Sequence, residues 1–240
     1  MNESPLHMVR IDLLPAALMK FASAQGLARS DDDGLGYTLH AWLAAMFGPR
    51  APKPFRLMPD KRRAARTLLG YSRENGVALT EHASTFADPA AYVAMATDVV
   101  ASKPMPGNWR EGQTIGFQTM ACPMSRKDGK EKDVYLRALD RLGDSAPTRE
   151  QCYREWFARQ LEAVATPSDL RLEGFGRVRM TRRSSAPGGG RRLVEVERPQ
   201  ALFNGVLTIR DPEGFAGLLA RGVGRHRAFG FGMLLLQPAG

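Results

Sequence analysis

At 240 residues, 43% of them hydrophobic and 25% charged, the chain can bury one large core or two ordinary ones, which excludes a disordered polymer. Its net charge of +9 points to a polyanionic partner, nucleic acid ahead of an acidic membrane surface. Cys122 and Cys152 lie too far apart in sequence to form a CxxC pair, and no stretch approaches the ~20 apolar residues of a membrane span, so the expectation is a reduced, cytoplasmic protein without a targeting segment.

The first element is HMVRIDLLP (residues 7–15), whose alternation reads as a strand closed by a proline. Residues 15–34 hold a short helix-like stretch and an acidic loop with Asp31, Asp32 and Asp33. Leu35, Leu39, Trp42, Leu43, Met46 and Phe47 then recur at helical spacing between glycines, which predicts a helix over 34–48. PRAPKPFRLMPD and RAARTLLGYS read as a hairpin. After a polar region, EHASTF (81–86), the segment DPAAYVAMATDVVA reads as a helix with Asp88 as N-cap and Pro89 at its first position. Strand, helix, strand, strand, helix is most of a ferredoxin-like unit.

Proline, glycine and polar residues over 103–113 mark a linker between an N-terminal domain (1–105) and a C-terminal one (113–240). The second half repeats the order. TIGFQTMACP reads as a strand, residues 148–164 as a helix capped by Thr148, and RLEGFGRVRMTRR and RRLVEVERPQALFNGVLTIRD as long strands flanking a glycine turn. Residues 211–222 form a short capped helix and FGFGMLLLQP a last strand, while the charged residues 125–147 read as an inserted helix or loop. No sequence repeat is visible. The succession nevertheless predicts an α+β protein of two tandem ferredoxin-like (βαββαβ, RRM-like) units, with a charged helical insertion in the second.

Three stretches can carry chemistry. In ARGVGRHRAFGFGMLLLQPAG (220–240), Gly222, Gly224, Gly230 and Gly232 can bring main-chain N–H groups against phosphate oxygens, with charge from Arg221, Arg225, His226 and Arg227. The same spacing also suits a bulged turn with a solvated cationic rim. The loop follows a helix and opens a strand, the reverse of a dinucleotide-binding fingerprint. In GFGRVRMTRRSSAPGGGRRL (174–193), Arg177 and Arg179 alternate along a strand, and Arg182, Arg183, Arg191 and Arg192 flank a Ser/Pro/Gly tip. Such a ribbon either straddles a nucleic-acid backbone or is an edge hairpin blunted by charge. Tyr37 and His40, three apart on the first long helix, share a face and either converge on a substrate atom or pack. Walker, HExxH and GxSxG motifs are missing from the sequence, so metal-dependent hydrolysis is disfavoured and neither a metal nor a cofactor is expected; His7, at a strand start, and His82, in a loop, receive no role.

Taken together, RGVGRHRAFGFGMLLLQP, the preceding FNGVLTIRDPEGFAGLLARG, the arginine-flanked GGG hairpin and, more loosely, GYTLHAWLAAMFG resemble the CRISPR repeat-processing endoribonucleases. The resemblance is to the CasE branch of type I-E systems and its type IV relatives, close over the second half and looser over the first. It implies a metal-independent endoribonuclease that binds the stem-loop of a CRISPR repeat and cleaves the precursor transcript by 2′-hydroxyl attack, leaving a 2′,3′-cyclic phosphate and a 5′-hydroxyl. It also implies a place beside other subunits of a CRISPR effector complex, with the product RNA retained and no membrane involved. The Tyr-x-x-His pair of such enzymes matches Tyr37 and His40, making His40 the general acid or base and Tyr37 an orienting or assisting group.

This sequence departs from that pattern at two positions. Ala41 stands where relatives often have a basic residue, and Arg227 where they often have lysine. Arginine keeps its charge and grips phosphate bidentately but moves protons poorly, so phosphate stabilisation falls to Arg225 and Arg227, with Arg10 and Arg29 as further candidates. The rival expectations are a non-catalytic subunit that only binds the RNA hairpin, and a basic protein that binds DNA or a membrane surface.

Overall fold

The computed structural model describes residues 5–27, 35–58, 65–185 and 191–239, with side chains left undescribed over 181–185 and 191–193. Contacts divide the chain into two compact units. One comprises Met1–Gly107, Val178–Glu197 and Ala228–Gly230; the other comprises Asn108–Arg177, Arg198–Arg227 and Phe231–Gly240.

In the first unit, β1 (His7–Leu13) leads into α1 (Pro15–Ala24) and α2 (Gly36–Phe47), followed by β2 (Phe55–Leu57), β3 (Arg66–Ser72), α3 (Gly76–Phe86), the single turn α4 (Pro89–Tyr92) and β4 (Ala101–Pro104). The strands pair antiparallel in the order β2-β3-β1-β4, with Val9 opposite Gly70 and Ser102. Alternation sends Val9, Ile11 and Leu13 into the core, where they join Leu39, Trp42, Leu43, Met46 and Phe47 of α2.

The expected hairpin is present as β2 and β3, but the second helix lies earlier than predicted. It is α3, capped by the Asn75 side chain, which accepts the Ala78 N–H at 2.9 Å; His82 therefore sits on a helix and not in a loop. Asp88 does cap Ala90 and Ala91, yet that helix stops after one turn. The chain there extends to bond the end of β1, with Leu14 N–H on the Ala94 carbonyl (2.9 Å) and Ala96 N–H on that of Asp12 (2.7 Å). β4 takes the first residues of the expected linker: all four of its residues are exposed, so the sequence carries no alternating signal there.

The second unit runs β5 (Thr114–Ala121), β6 (Met124–Lys127), β7 (Lys130–Asp133), α5 (Val134–Leu142), α6 (Arg149–Leu161), β8 (Ala165–Ser185), β9 (Arg191–Ile209), α7 (Pro212–Arg221) and β10 (Leu235–Gln237). Its four-stranded sheet has the order β10-β5-β9-β8. Numbered within each unit, both sheets place the strands second, third, first, fourth, the ferredoxin-like order expected from the sequence. The charged insertion is a β6–β7 hairpin followed by helix α5. Thr148 caps α6 as predicted and closes a capping box with Gln151, and the core stacks Phe117 on Phe157 (5.4 Å) and Phe157 on Phe203 (4.8 Å). Only three residues of the expected last strand pair with β5.

Candidate active site and nucleic-acid interface

Helix α2 buries Leu39, Trp42, Leu43, Met46 and Phe47, and Trp42 Nε1 donates to the Ala91 carbonyl at 2.9 Å, which fixes the rotation of the helix. Tyr37 and His40 fall outside the buried stripe, half-buried and exposed respectively, with ring centroids 6.3 Å apart. Phe229, from the glycine-rich loop, completes the cluster. Its ring stacks on Tyr37 at 6.1 Å and meets the His40 edge at 5.2 Å. Gly36 makes this approach possible, because a Cβ there would stand 2.7 Å from the Phe229 carbonyl oxygen. Loss of water around the imidazole, reinforced by the positive charge of Lys53, lowers the His40 pKa from its ordinary 6.5. A neutral imidazole at neutral pH is suited to accept a proton.

Those parts of the glycine-rich loop that belong to the second unit are built by conformation and internal bonding. Gly222, Gly224 and Gly232 all have positive φ, as does Gly230 of the first unit. A Cβ at Gly224 would meet the Trp156 ring at 2.8 Å, and one at Gly232 would lie 2.2 Å from the Val223 carbonyl oxygen. The amides of Gly222 and Gly232 donate within the protein, to Leu218 (2.7 Å) and Met120 (2.7 Å), so their first role is to shape the turn.

The cations of this loop are also held in place. Arg227 Nη1 donates to the Arg221 carbonyl at 2.8 Å. Glu131 of β7 accepts Arg225 Nε at 2.8 Å on one carboxylate oxygen and Arg198 Nη2 at 3.0 Å on the other, with His226 Nε2 3.4 Å from the latter. Burial would raise the Glu131 pKa, but His226, Arg225 and Arg198 together prevail and lower it, keeping the group an anion.

Residues 6–238 match the family described as CRISPR associated protein. The chain belongs to that family. Among solved structures, this CRISPR-associated protein is similar to one of CRISPR endoribonuclease Cse3 bound to a 19-nucleotide RNA, with 20% identity over 98% of this chain and 100% of that one, at a TM-score of 0.66. It is also similar to Cse3 of Thermus thermophilus bound to an RNA representing a pre-cleavage complex (22% identity, 98% and 100% covered, TM-score 0.58). A third is Cas6e of Escherichia coli K-12 (19% identity, 97% and 100% covered, TM-score 0.54). Among curated proteins, none matches the sequence. At these identities the structural likeness establishes the tandem ferredoxin-like fold.

Within this CRISPR-associated protein, the predicted site residues divide clearly. Tyr37 and His40 adjoin on α2, and Arg225 and His226 gather on Glu131. Arg221 is exposed at the end of α7, and Arg177 and Arg179 are exposed on one face of β8. Arg182, Arg183, Arg191 and Arg192 lie on β8 and β9, but their side chains fall outside the described residues, as do Arg29 and the acidic run Asp31, Asp32 and Asp33. Arg10 pairs with Asp12 on β1 (2.8 Å). Among the described residues, no three His, Cys, Asp or Glu side chains are grouped to hold a metal, and no helix is long and apolar enough to cross a membrane.

Sequence reasoning missed Phe229, Gly36, Glu131 and Arg198. Phe229 had a legible signal, as the first aromatic ring after a glycine- and arginine-rich stretch. Glu131 had none, because 94 residues separate it from Arg225.

Proposed function

We propose that the chain is a metal-independent endoribonuclease that binds the stem-loop of a CRISPR repeat, cleaves the precursor transcript and stays with the mature RNA in an effector complex. The observation that carries the reading is the Tyr37–His40–Phe229 cluster, in which a loop residue rests on the two helix side chains best suited to acid–base work. Its support is membership of the CRISPR-associated family and a fold shared with endoribonucleases whose structures hold RNA.

In this reading the neutral His40 imidazole takes the proton of the ribose 2′-hydroxyl beside the scissile phosphate. The 2′ oxygen bonds to phosphorus as the bond to the 5′ oxygen breaks, and that oxygen takes up a proton from solvent. The products are a 2′,3′-cyclic phosphate and a 5′-hydroxyl. Tyr37 orients the ribose. Arg225 and Arg227 bind backbone phosphates, where bidentate guanidinium geometry supplies both charge and direction.

The test is incubation of the purified protein with a repeat RNA in EDTA. Cleavage is expected to survive the chelator, to stop when the scissile nucleotide carries a 2′-deoxyribose, and to slow by about 10²–10⁴-fold in His40→Ala with RNA affinity within about twofold of the parent. The second reading, a hairpin-binding subunit without catalysis, draws on the same three rings, since mutual packing is itself a use for them. Tight binding of RNA that remains intact is the result that selects it.

A further inference from the structure

Glu131 gathers two arginines and a histidine of unlike exposure. The side chains of Arg198 and His226 are 12% and 10% exposed, whereas that of Arg225 is 41% exposed. Arg225 offers Nε to the carboxylate, and among the described residues its two terminal amino groups have no partner. A guanidinium held at Nε presents those amino groups outward as a fork, the geometry that grips a phosphate.

The carboxylate is itself firmly placed. It lies on β7, across from Arg126 in the β6–β7 hairpin, and two residues before Asp133, so both acids point to one face of the strand. Asp133 is 7% exposed and anchors the strand end by accepting Arg149 Nη1 (3.0 Å), the Tyr153 hydroxyl (2.7 Å) and the Tyr135 N–H (2.8 Å). His226, next to Arg225, has a φ of 59° in the left-handed region and sits against the same carboxylate, which fixes the backbone from which Arg225 projects.

We propose that Glu131 is a positioning residue for RNA: its carboxylate clamps Arg225 at Nε and aims the terminal amino groups at a backbone phosphate of the bound transcript. This rests on the RNA-binding part of the proposed function. An acid thereby strengthens the hold on an anion, contrary to what charge alone dictates, and that opposition makes it testable. A purely electrostatic role requires that neutralising Glu131 tighten RNA binding. A purely structural role requires a loss indifferent to Arg225.

The experiment is a double-mutant cycle on the full-length protein, read as affinity for a repeat stem-loop RNA carrying 2′-deoxyribose at the scissile nucleotide, with thermal midpoints recorded in parallel. Glu131→Gln is expected to weaken binding about tenfold and Arg225→Ala about 10- to 100-fold, the range of charge-assisted hydrogen bonds. The double variant is expected to bind within twofold of Arg225→Ala alone. Glu131→Asp, which keeps a charge for the half-buried Arg198 and His226 but shortens the reach to Nε, is expected to show the same dependence on Arg225 and serves where the glutamine variant folds poorly. Tighter binding by Glu131→Gln, or an equal loss with and without Arg225, overturns the clamp while leaving RNA binding intact. A parent protein that binds no repeat RNA overturns the proposed function, and the clamp with it.

Discussion

His40 is exposed on its helix yet carries a lowered pKa, with loss of hydration the larger cause and Lys53 the smaller. Its direction of action follows from that sign. A base must be neutral to work, so cleavage is expected to rise with pH through a midpoint below 6.5 and to level off above it. A rate that falls across the same interval identifies His40 as the acid. Lys53→Ala removes the smaller cause and is expected to move the midpoint up by less than Phe229→Ala does, as followed by NMR titration of the imidazole. The shift also bears on stability: the folded state binds the proton less readily than the unfolded chain, so this contribution is present above pH 6.5 and is lost as pH falls through the folded pKa. His40→Ala is expected to flatten that part of the stability–pH curve.

Among the elements, the glycine-rich loop is the one whose sequence said most and whose meaning changed most. Its four glycines were legible as places of close approach; Gly224 stands against Trp156 and Gly232 against Val223, while Gly36 on α2 admits Phe229. Gly232→Ala places a methyl against a backbone carbonyl and holds alanine at a φ of 77°, and is expected to cost about 2–4 kcal/mol in urea unfolding. Gly36→Ala carries no left-handed strain and meets only Phe229, at its carbonyl and Cβ, so a lowered cleavage rate with a smaller stability loss is expected. Helices α2, α6 and α7 were readable because each buries large apolar side chains at helical spacing behind a glycine or a polar cap. Helix α3 was not, since only Gly76, Leu79 and Ala83 are buried and its cap, Asn75, stands before a β-branched and polar run. Of the candidate site residues, Tyr37 and His40 were visible as a helical pair, whereas Phe229, beside them, and Glu131, on Arg225, owe their places to contacts across long stretches of chain.

Over the whole chain, the order of elements was sufficient to predict two ferredoxin-like units because each sheet has an inner strand, β1 or β5, that the sequence announces. The excess of nine positive charges is a property of the same scale, and its distribution can be weighed by salt. Arg171, Arg177 and Arg179 occupy alternate positions on one face of β8, but Arg171 is already paired with Asp169 at 2.8 Å. If the ribbon holds RNA phosphates, each arginine that releases a counterion contributes about 0.9 to the slope of log affinity against log salt on a duplex. Replacing Arg182, Arg183, Arg191 and Arg192 with glutamine is therefore expected to weaken stem-loop binding and make the slope shallower by roughly 2 to 4. Arg171→Gln on the same strand is expected to leave it unchanged. A slope unmoved by the fourfold change shows that the ribbon faces solvent and returns the RNA grip to Arg225 and Arg227 alone, whereas equal effects from Arg171 and the tip arginines mean that only total charge, and not this hairpin, is read by the RNA.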